Sequence, residues 1–288
     1  NIRIEETTTP HEIPTKDFGF GKLFSDHMFV MDYSEGEGWH DARIVPFSNL
    51  TLHPAATVFH YGAEIFEGLK AYIRADGGFQ MFLPIENVRR MNNSAERIGL
   101  PQIKEEDMLQ AIIEFVKHEQ AWVPYGEGES LYIRPFMFGN DEHLGVHSIK
   151  NAKFLIIASP SGSYYAEGIN PVKIMIEQDD VRAVRGGTGY AKCGGNYAAA
   201  MIAEKKAHDM GFDQVLWLDA KEKKYVEEIG TSNAFFKIDG EIYTSSLIGT
   251  ILPGITRASM IEVMKDWGYK VNETRFTIDD VFKAGEEG

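Results

Sequence analysis

Lys192 is a candidate reactive amine. It lies between glycine-rich turns and a predicted helix, in the stretch GTGYAKCGGNYAAA. Lys192 does not belong to a nucleotide phosphate loop of the form G-x-x-x-x-G-K-[ST], because Ala191 precedes it and Cys193 follows it. A partly desolvated lysine amine can instead form an imine with an aldehyde cofactor. A lysine on a bent loop is more often a solvated surface residue, so other residues must decide between these interpretations.

A carboxylate in a second short motif could serve the same chemistry. Glu228 opens the run EIGTSN, where Gly230 and Thr231 follow it. A carboxylate in such a place is often only a turn or cap group. It is also the partner that a protonated pyridine nitrogen requires.

The segment LPGITR is a candidate anion site. Gly254, Ile255 and Thr256 stand where a helix is predicted to begin, and the backbone N–H groups of a helix N-terminus bind phosphate readily. An ordinary helix start has the same pattern. Arg90, on an earlier predicted helix, is a candidate clamp for a dianionic phosphate, although most helix arginines are solvated.

Two histidines four residues apart raise a metal site as a rival interpretation. His143 and His147 in DEHLGVH could bind a metal if they lay on one face of a helix. Gly145 between them and the preceding FGN favour a loop instead. We therefore predict no metal site there.

Charge and cysteine content exclude several classes of protein. The chain has 43 acidic and 29 basic residues and a formal charge of -14, which disfavours binding to nucleic acid or to an anionic membrane surface. Its one cysteine rules out an internal disulfide and a multi-cysteine zinc site, and favours a reducing, cytoplasmic location. No apolar run reaches the roughly 20 residues of a membrane-spanning helix. The first residue is Asn1 rather than Met, which leaves a preceding leader open.

The elements that must position these residues follow an α/β (α+β) pattern. The runs from DHMFVMDY to LKAYIRADGGFQMFL have the β-branched residues and the turns of a sheet, with a hairpin at Asp76 to Gly78. Two helices are predicted next, in PIENVRRMNNSAERIGLP and KEEDMLQAIIEFVKHEQAWV, and SLYIRPFMF and AKFLIIAS are predicted strands.

The second half is predicted to alternate strands and helices. VKIMIEQ and QVLWL are predicted strands on either side of a helix that begins just after Lys192. The Asp239-Gly240 pair marks a hairpin, and another helix follows LPGITR. A run rich in Gly, Ser and Pro separates the halves. We therefore predict a smaller N-terminal α+β domain over residues 1–160, a linker over 161–172, and a larger, C-terminally incomplete α/β domain over 173–288.

Six motifs in one order resemble the branched-chain amino acid aminotransferases, which belong to the fold-type IV group of pyridoxal 5′-phosphate enzymes. The motifs are HYGAEIFEGLKAY, LYIRP, GNDEHLGV, KCGGNYAAA, EEIGTSNAFF and LPGITR, and the match runs from about Phe18 to the end. The resemblance implies two domains with the active site at their interface. It also implies transfer of the amino group of L-leucine, L-isoleucine or L-valine to 2-oxoglutarate, giving branched-chain 2-oxo acids and L-glutamate.

The resemblance assigns roles in cofactor binding. It implies that Lys192 carries pyridoxal 5′-phosphate covalently and acts as the catalytic base, while Glu228 pairs with the pyridine nitrogen. Tyr197 would lie beside the phenolic oxygen of the cofactor, and Thr231 near its phosphate or ring. The residues implied to hold the phosphate are Arg90, Ile255 and Thr256.

A substrate pocket and a partner are implied as well. Arg134 is expected to receive the second carboxylate of glutamate, which an apolar pocket alone would reject. The loop with Leu144 and Val146 would reach the active site of a second subunit in an obligate homodimer. Aromatic residues are more often part of an ordinary core. Those of the implied hydrophobic pocket are Phe20, Tyr61, Phe66, Tyr132, Tyr164 and Tyr197.

Three other functions are compatible with parts of this pattern. D-amino acid aminotransferase and aminodeoxychorismate lyase share the fold, but LYIRP and FEGLKAY resemble the branched-chain enzymes more. The sequence given stops at VFKAGEEG, before the loop that binds the substrate α-carboxylate in the family, which raises a catalytically silent binding protein as the third alternative. Lys192, Glu228 and Arg90 together argue against it, because a silent relative has no need of all three.

Overall fold

The computed structural model describes residues 1–162 and 170–287, and the chain divides into two compact units, Asn1–Ile169 and Asn170–Gly288. The proposed substrate residue Tyr164 lies outside the described residues. The domain boundaries, the linker and the order of domain sizes stay predictions. Within the described ranges, no helix combines the length and the apolar character needed to cross a membrane.

The first unit is built on a mostly antiparallel sheet. Its strands are β1 (Arg3–Ile4), β2 (His27–Ser34), β3 (Gly38–Pro46), β4 (Glu64–Phe66), β5 (Leu69–Ile73), β6 (Phe79–Met81), β7 (Ser130–Gly139) and β8 (Asn151–Ser161). They follow the order β1-β3-β2-β8-β7-β5-β6, and β4 also pairs with β7. The predicted hairpin is confirmed, since β5 pairs with β6 across the turn at residues 74–78.

The two faces of strand β7 differ in burial. Side chains alternate between the two faces of a strand, so Tyr132 and Arg134 share one face while Ile133 lies on the other. Ile133 is fully buried, whereas Tyr132 and Arg134 are half-buried. The LYIRP motif therefore directs its tyrosine and arginine away from the inner core.

The helices of the first unit are α1 (Thr57–Tyr61), α2 (Pro84–Ile98) and α3 (Glu105–His118). The prediction for α2 is confirmed: it starts at Pro84 and ends before Gly99, which takes the left-handed conformation with φ 79°. Its apolar stripe, Val88, Met91 and Ala95, is buried. This stripe fixes which face of α2 Arg90 occupies.

Helix α3 is shorter than the predicted run through Val123. It ends at His118, and Glu119 leads into a 3-10 turn at Gln120–Trp122. Pro124 explains why the helical backbone does not reach Val123, because proline disfavours helical backbone in the residue before it, and Val123 is extended with ψ 114°. The early end leaves His118 and the buried Glu119 at the C-terminus of the helix.

The second unit combines two small sheets with helices. Its helices are α4 (Gly194–Asp209), α5 (Ile255–Asp266) and α6 (Ile278–Glu287), and its strands are β9 (Ile174–Ile176), β10 (Gln214–Leu218), β11 (Val226–Ile229), β12 (Ser232–Asn233), β13 (Phe236–Ile238), β14 (Glu241–Thr244) and β15 (Val271–Glu273). The sheet orders are β12-β11-β10-β9 and β13-β14-β15. The predicted hairpin between β13 and β14 is confirmed, with positive φ at both Asp239 and Gly240.

Helix α4 is the crossover between the parallel strands β9 and β10. Three alanines on one of its faces, Ala200, Ala203 and Ala207, are buried in a core with Val215 and Trp217 of β10. Small side chains let the helix approach the sheet closely. The helix begins at Gly194, so Lys192 occupies the last bend before a firmly anchored element.

Candidate active site

Lys192 is half-buried and faces a tyrosine. Its Nζ donates to the hydroxyl oxygen of Tyr197 at 3.0 Å, and Tyr197 lies in the first turn of α4. The same Nζ is 5.6 Å from the centre of the tyrosine ring. The amine is therefore held in one place by an element of the second unit.

Asn196 fixes the bend that carries the lysine. Its Nδ2 donates to the backbone oxygens of Thr188 at 2.9 Å and Ala191 at 2.8 Å, and its Oδ1 accepts from the Thr188 hydroxyl at 2.7 Å. Asn196 is buried at the start of α4. It thus joins the turn before Lys192 to the helix after it.

Glu228 is a buried carboxylate that is bound by two side chains and by the backbone N–H of Leu252. Its Oε2 lies 2.6 Å from Nη2 of Arg182, and its Oε1 accepts from Nδ2 of Asn233 at 2.9 Å. Burial raises the pKa of the Glu228 carboxyl to about 7 and outweighs the opposing charge of Arg182, while nearby Glu227 raises it further. A cation placed beside this carboxylate would favour its ionised form.

A tight turn after β11 brings Thr231 to the same cleft as Glu228. Gly230 has φ 56°, a left-handed conformation that favours glycine, and a Cβ at this position would displace the Oε1 atom of Gln214, which would lie 2.1 Å from it. One cleft of the second unit is lined by Arg182, Gly189, Ala191, Asn196, Tyr197, Ala200, Glu228, Gly230, Thr231 and Leu252. Three of the predicted cofactor residues thus line one cleft, beside the bend that holds Lys192.

The predicted anion site is the N-terminus of α5, which begins at Ile255 as expected. Gly254 precedes it and has no side chain to cap the first N–H groups. A Cβ on Gly254 would lie 2.0 Å from Oδ1 of Asn233, whose Nδ2 also donates to the backbone oxygen of Leu252 at 3.0 Å. Asn233 therefore ties the turn before Ile255 and Thr256 to Glu228.

Arg90, in the first unit, is held by a buried acid. Its Nε and Nη2 donate to the two carboxylate oxygens of Glu67 at 2.7 and 2.8 Å. Glu67 is 1% exposed and also accepts from Nδ2 of Asn87 at 2.8 Å. The bidentate pair fixes the plane of the guanidinium, so Arg90 is not the mobile, solvated arginine of an ordinary helix surface.

Four predicted substrate residues form one group in the first unit. The rings of Phe20 and Tyr132 meet edge to face with centroids 4.9 Å apart, and the Arg134 guanidinium lies 4.5 Å from the centre of the Phe66 ring. Arg134 also donates from Nη2 to the Tyr132 hydroxyl at 3.0 Å. Its Nε is buried and has no hydrogen-bond partner among the described residues. An adjoining cavity of about 210 Å³ is lined by Phe20, Gly21, Phe24, Tyr132, Arg134, Ile157, Ala158 and Ser159.

Three more of the predicted substrate residues, Tyr61, Leu144 and Val146, are exposed. The Tyr61 hydroxyl donates to the backbone oxygen of Leu144. The side chains of Leu144 and Val146 are 62% and 85% exposed. Residues 143–147 lie in a loop, as predicted from Gly145, so His143 and His147 do not share a helix face.

Four positioning residues were missed by the sequence interpretation: Glu67, Arg182, Asn196 and Asn233. Asn196 belongs to the motif GGNY and Asn233 to the motif GTSN, but a sequence motif does not reveal which hydrogen bonds an asparagine makes. Glu67 likewise belongs to IFEGLKAY, and its partner is on a separate helix. Arg182 had no signal in the sequence, because its contacts with Glu228 and with the backbone oxygen of Thr250 are both made with residues distant along the chain.

Comparison with known protein families assigns the chain to a class of enzyme. The model of the family described as Amino-transferase class IV matches residues 64–286. The chain therefore belongs to the class IV aminotransferases. The resemblance to the branched-chain enzymes within that class is confirmed by relatives of that name, beginning with branched-chain-amino-acid aminotransferase 2 of Bacillus subtilis (strain 168). That relative is 50% identical over 288 residues, which cover 100% of this chain and 79% of the relative.

Solved structures confirm the fold-type IV prediction. The branched-chain amino acid aminotransferase of Escherichia coli superposes with a TM-score of 0.73 at 25% identity, covering 87% of this chain and 78% of that one. The T.th. branched-chain amino acid aminotransferase with pyridoxamine 5′-phosphate gives a TM-score of 0.71 at 31% identity, covering 87% of this chain and 78% of that one.

Proposed function

We propose that the chain transfers the amino group of L-leucine, L-isoleucine or L-valine to 2-oxoglutarate with pyridoxal 5′-phosphate as cofactor. The observation that carries the proposal is the Lys192 amine, held 3.0 Å from the Tyr197 hydroxyl, beside a cleft lined by Tyr197 and the buried Glu228. The relatives named as branched-chain aminotransferases support the substrate class, since several are 47% to 50% identical over the whole chain.

The residues of the second unit fit this cofactor. Glu228 is buried and is fixed by Arg182 and Asn233, so its position is set for a pyridine nitrogen. Burial raises the pKa of its carboxyl to about 7, and a protonated pyridine nitrogen beside it would favour the ionised carboxylate. The N-terminus of α5 offers the backbone N–H groups of Ile255 and Thr256 to a phosphate. Lys192 supplies an amine for the aldehyde.

The protein residues divide the chemical work among them. When bound, pyridoxal 5′-phosphate supplies an electron sink that makes the α-proton of an amino acid removable. The Lys192 amine is the base that takes this proton and returns it. Tyr197 orients the amine through its hydroxyl, and Glu228 stabilises a proton on the pyridine nitrogen by its negative charge.

Arg90 is the proposed second holder of the phosphate. Glu67 binds two of its nitrogens and fixes the guanidinium plane, which lowers the entropy that a phosphate would have to remove. The 2.7 and 2.8 Å distances are those of charge-assisted hydrogen bonds. In this proposal Glu67 acts through Arg90 and does not touch the cofactor.

The aromatic group of the first unit is the proposed site of the substrate side chain. Phe20, Phe66 and Tyr132 supply apolar ring surface for a branched aliphatic group. Arg134 lies among them with a buried Nε, so it can pair with the side-chain carboxylate of glutamate or 2-oxoglutarate. The same group would thus accept both substrates of the reaction in turn.

The homodimer and the cytoplasmic location also belong to the proposal. Leu144 and Val146 expose 62% and 85% of their surface on a loop, and exposed apolar side chains of this kind suit insertion into a partner subunit. The single cysteine, Cys193, is buried and unpaired, as expected in a reducing compartment.

Borohydride reduction of the cofactor-loaded protein, followed by peptide mapping, tests the proposal. We expect a pyridoxyl adduct on Lys192 and none at the equivalent peptide of Lys192→Ala. Lys205→Ala, which changes an exposed lysine of α4, is the matched control and should keep the adduct. A wild-type protein without an adduct on Lys192 would refute the mechanism.

Rates with three amine substrates, L-leucine, D-alanine and aminodeoxychorismate, test the substrate class. L-leucine should react much faster than D-alanine or aminodeoxychorismate. A preference for D-alanine or for aminodeoxychorismate would assign the chain to one of the alternative activities of the same fold.

A further inference from the structure

A group of metal-ligating side chains lies in the first unit, among residues to which the proposed reaction gives no role. Glu6 precedes β2, His27 begins β2, and His118 ends α3. One ligand atom from each lies within 4.8 Å of the other two. We propose that Glu6, His27 and His118 bind a divalent transition-metal ion of the zinc type.

The distances between the ligand atoms suit a tetrahedral ion. Oε2 of Glu6 is 3.7 Å from Nε2 of His27 and 3.6 Å from Nε2 of His118. Zinc bonds of about 2.0 to 2.1 Å at tetrahedral angles separate neighbouring ligand atoms by about 3.4 Å. Both distances from Glu6 are thus within a few tenths of an ångström of the tetrahedral value, and the ligand atoms of His27 and His118 lie within 4.8 Å of each other. A closer approach of the two histidines would complete three protein ligands around zinc, with water as the fourth.

A buried carboxylate already orients one of the ligands. Nδ1 of His27 lies 2.7 Å from Oε1 of Glu119, which is 3% exposed, and the backbone N–H of His27 donates to Oε2 of Glu119 at 3.2 Å. Metal-ligating histidines commonly donate their second ring nitrogen to a carboxylate in this way. The pair sets the tautomer of His27 so that the lone pair is on Nε2, the nitrogen that faces Glu6.

Charge and position also favour a cation. Two carboxylates, Glu6 and Glu119, balance the two positive charges of the ion. His118 is the last residue of α3, where the helix dipole is negative and attracts cations. In the absence of metal, Nε2 of His27 accepts from the backbone N–H of Thr7 at 3.0 Å, a bond that the ion would replace.

The site would fasten the N-terminal segment to the sheet and to α3. Glu6 is 72% exposed, whereas the side chains of His27 and His118 are 7% and 15% exposed. Metal binding should therefore raise the melting temperature of the protein while leaving the rate of transamination unaffected, because the proposed reaction gives these three residues no role.

Titration of the full, untagged, cofactor-loaded protein with Co²⁺ and Zn²⁺ tests the proposal. We expect one equivalent of Co²⁺ with the intense visible absorption of tetrahedral coordination, displaced by Zn²⁺. Glu6→Gln, a surface change that cannot prevent folding, and His118→Gln should each weaken binding at least tenfold. Glu119→Gln should weaken it 10- to 100-fold through His27.

Matched controls separate this site from other surface groups. His208→Gln changes an exposed histidine of the second unit, and Glu114→Gln changes an exposed glutamate of α3; both should bind like the wild type. Binding of unchanged strength in Glu6→Gln and His118→Gln, or a purely octahedral Co²⁺ spectrum, would overturn the proposal. A melting temperature that zinc raises equally in wild type and Glu6→Gln would do the same.

Discussion

Arg182 lies 2.6 Å from Glu228, yet the pKa of the Glu228 carboxyl is raised to about 7. The ion pair is nearly closed to solvent, with 8% and 4% of the two side chains exposed. Desolvation of the carboxylate therefore outweighs the attraction of the arginine. Near neutral pH the carboxyl is balanced between its two protonation states, and a nearby cation can decide which one prevails.

Replacement of Glu228 by glutamine should separate cofactor binding from catalysis. Glu228→Gln keeps the size of the side chain, so the cofactor should still bind. Loss of the negative charge should slow half-transamination about 100- to 1000-fold, as for the loss of one electrostatic stabiliser. The change in cofactor absorbance after mixing with L-leucine measures the rate.

Glu227→Gln is the matched control for this prediction. Glu227 is also buried and its carboxyl pKa is also raised by burial, but it accepts a hydrogen bond from the Thr250 hydroxyl at 2.6 Å. Glu227→Gln should lower the free energy of unfolding without the large loss in the rate of half-transamination. An unaltered rate in Glu228→Gln would mean that Glu228 is only a turn group.

The stability of the cofactor-free protein should fall between pH 4.5 and pH 7 because of Glu228. Its carboxyl has an ordinary pKa of 4.5 and a folded-state pKa of about 7. In this range the folded state binds more protons than the unfolded state, so the free energy of unfolding decreases as pH rises, by about 3 kcal/mol in all. Thermal melts at several pH values should show this slope, and Glu228→Gln should be flatter. Parallel pH profiles would contradict the assignment.

Removal of Arg182 should push the carboxyl of Glu228 further toward its neutral form. Arg182→Met deletes the charge that lowers the pKa of Glu228 and should raise that pKa above about 7. The variant should lose more stability at pH 8 than at pH 5, because only the ionised carboxylate is left unpaired. Arg185→Met, an exposed arginine of the same loop, is the control and should lose little at either pH. Equal losses at the two pH values would show that Arg182 does not act through charge.

Local signals explain why much of this fold could be predicted. Pro84 and Gly99 mark the ends of α2, and Asp239 with Gly240 marks a hairpin, because each constrains the backbone near its own position. The start of α5 at Ile255 follows from LPGITR in the same way. Such features require no knowledge of distant residues.

Contacts between distant residues could not be predicted. In the sequence Arg182 is one of several arginines, and only the folded structure shows its contact with Glu228. Glu67 likewise has the sequence pattern of a surface acid, although it is buried and binds Arg90 of α2. The early end of α3 was also missed: the helical pattern continues past His118, but the backbone changes to a 3-10 turn at Gln120–Trp122, and Pro124 keeps Val123 extended.

Asn196 should control how well the lysine is positioned. Asn196→Ala removes three hydrogen bonds that link Thr188 and Ala191 to the start of α4. The buried groups left unpaired should lower the free energy of unfolding by about 1 to 3 kcal/mol. Adduct formation on Lys192 should also become slower. Asn93→Ala, an exposed asparagine of α2, is the control; adduct formation as fast as in wild type would show that Asn196 is structural only.

Arg134 should distinguish the two substrates of the reaction. Arg134→Met keeps a long apolar stem against Phe66 and Tyr132 but removes the charge that would pair with the second carboxylate of 2-oxoglutarate. A charged hydrogen bond contributes about 1.5 to 3 kcal/mol, so kcat/KM for 2-oxoglutarate should fall about 10- to 150-fold. The half-reaction with L-leucine, which has no second carboxylate, should change only slightly. Arg74→Met, on the exposed hairpin, controls for loss of positive charge. An equal loss with both substrates would mean that Arg134 supports the pocket rather than recognising the carboxylate.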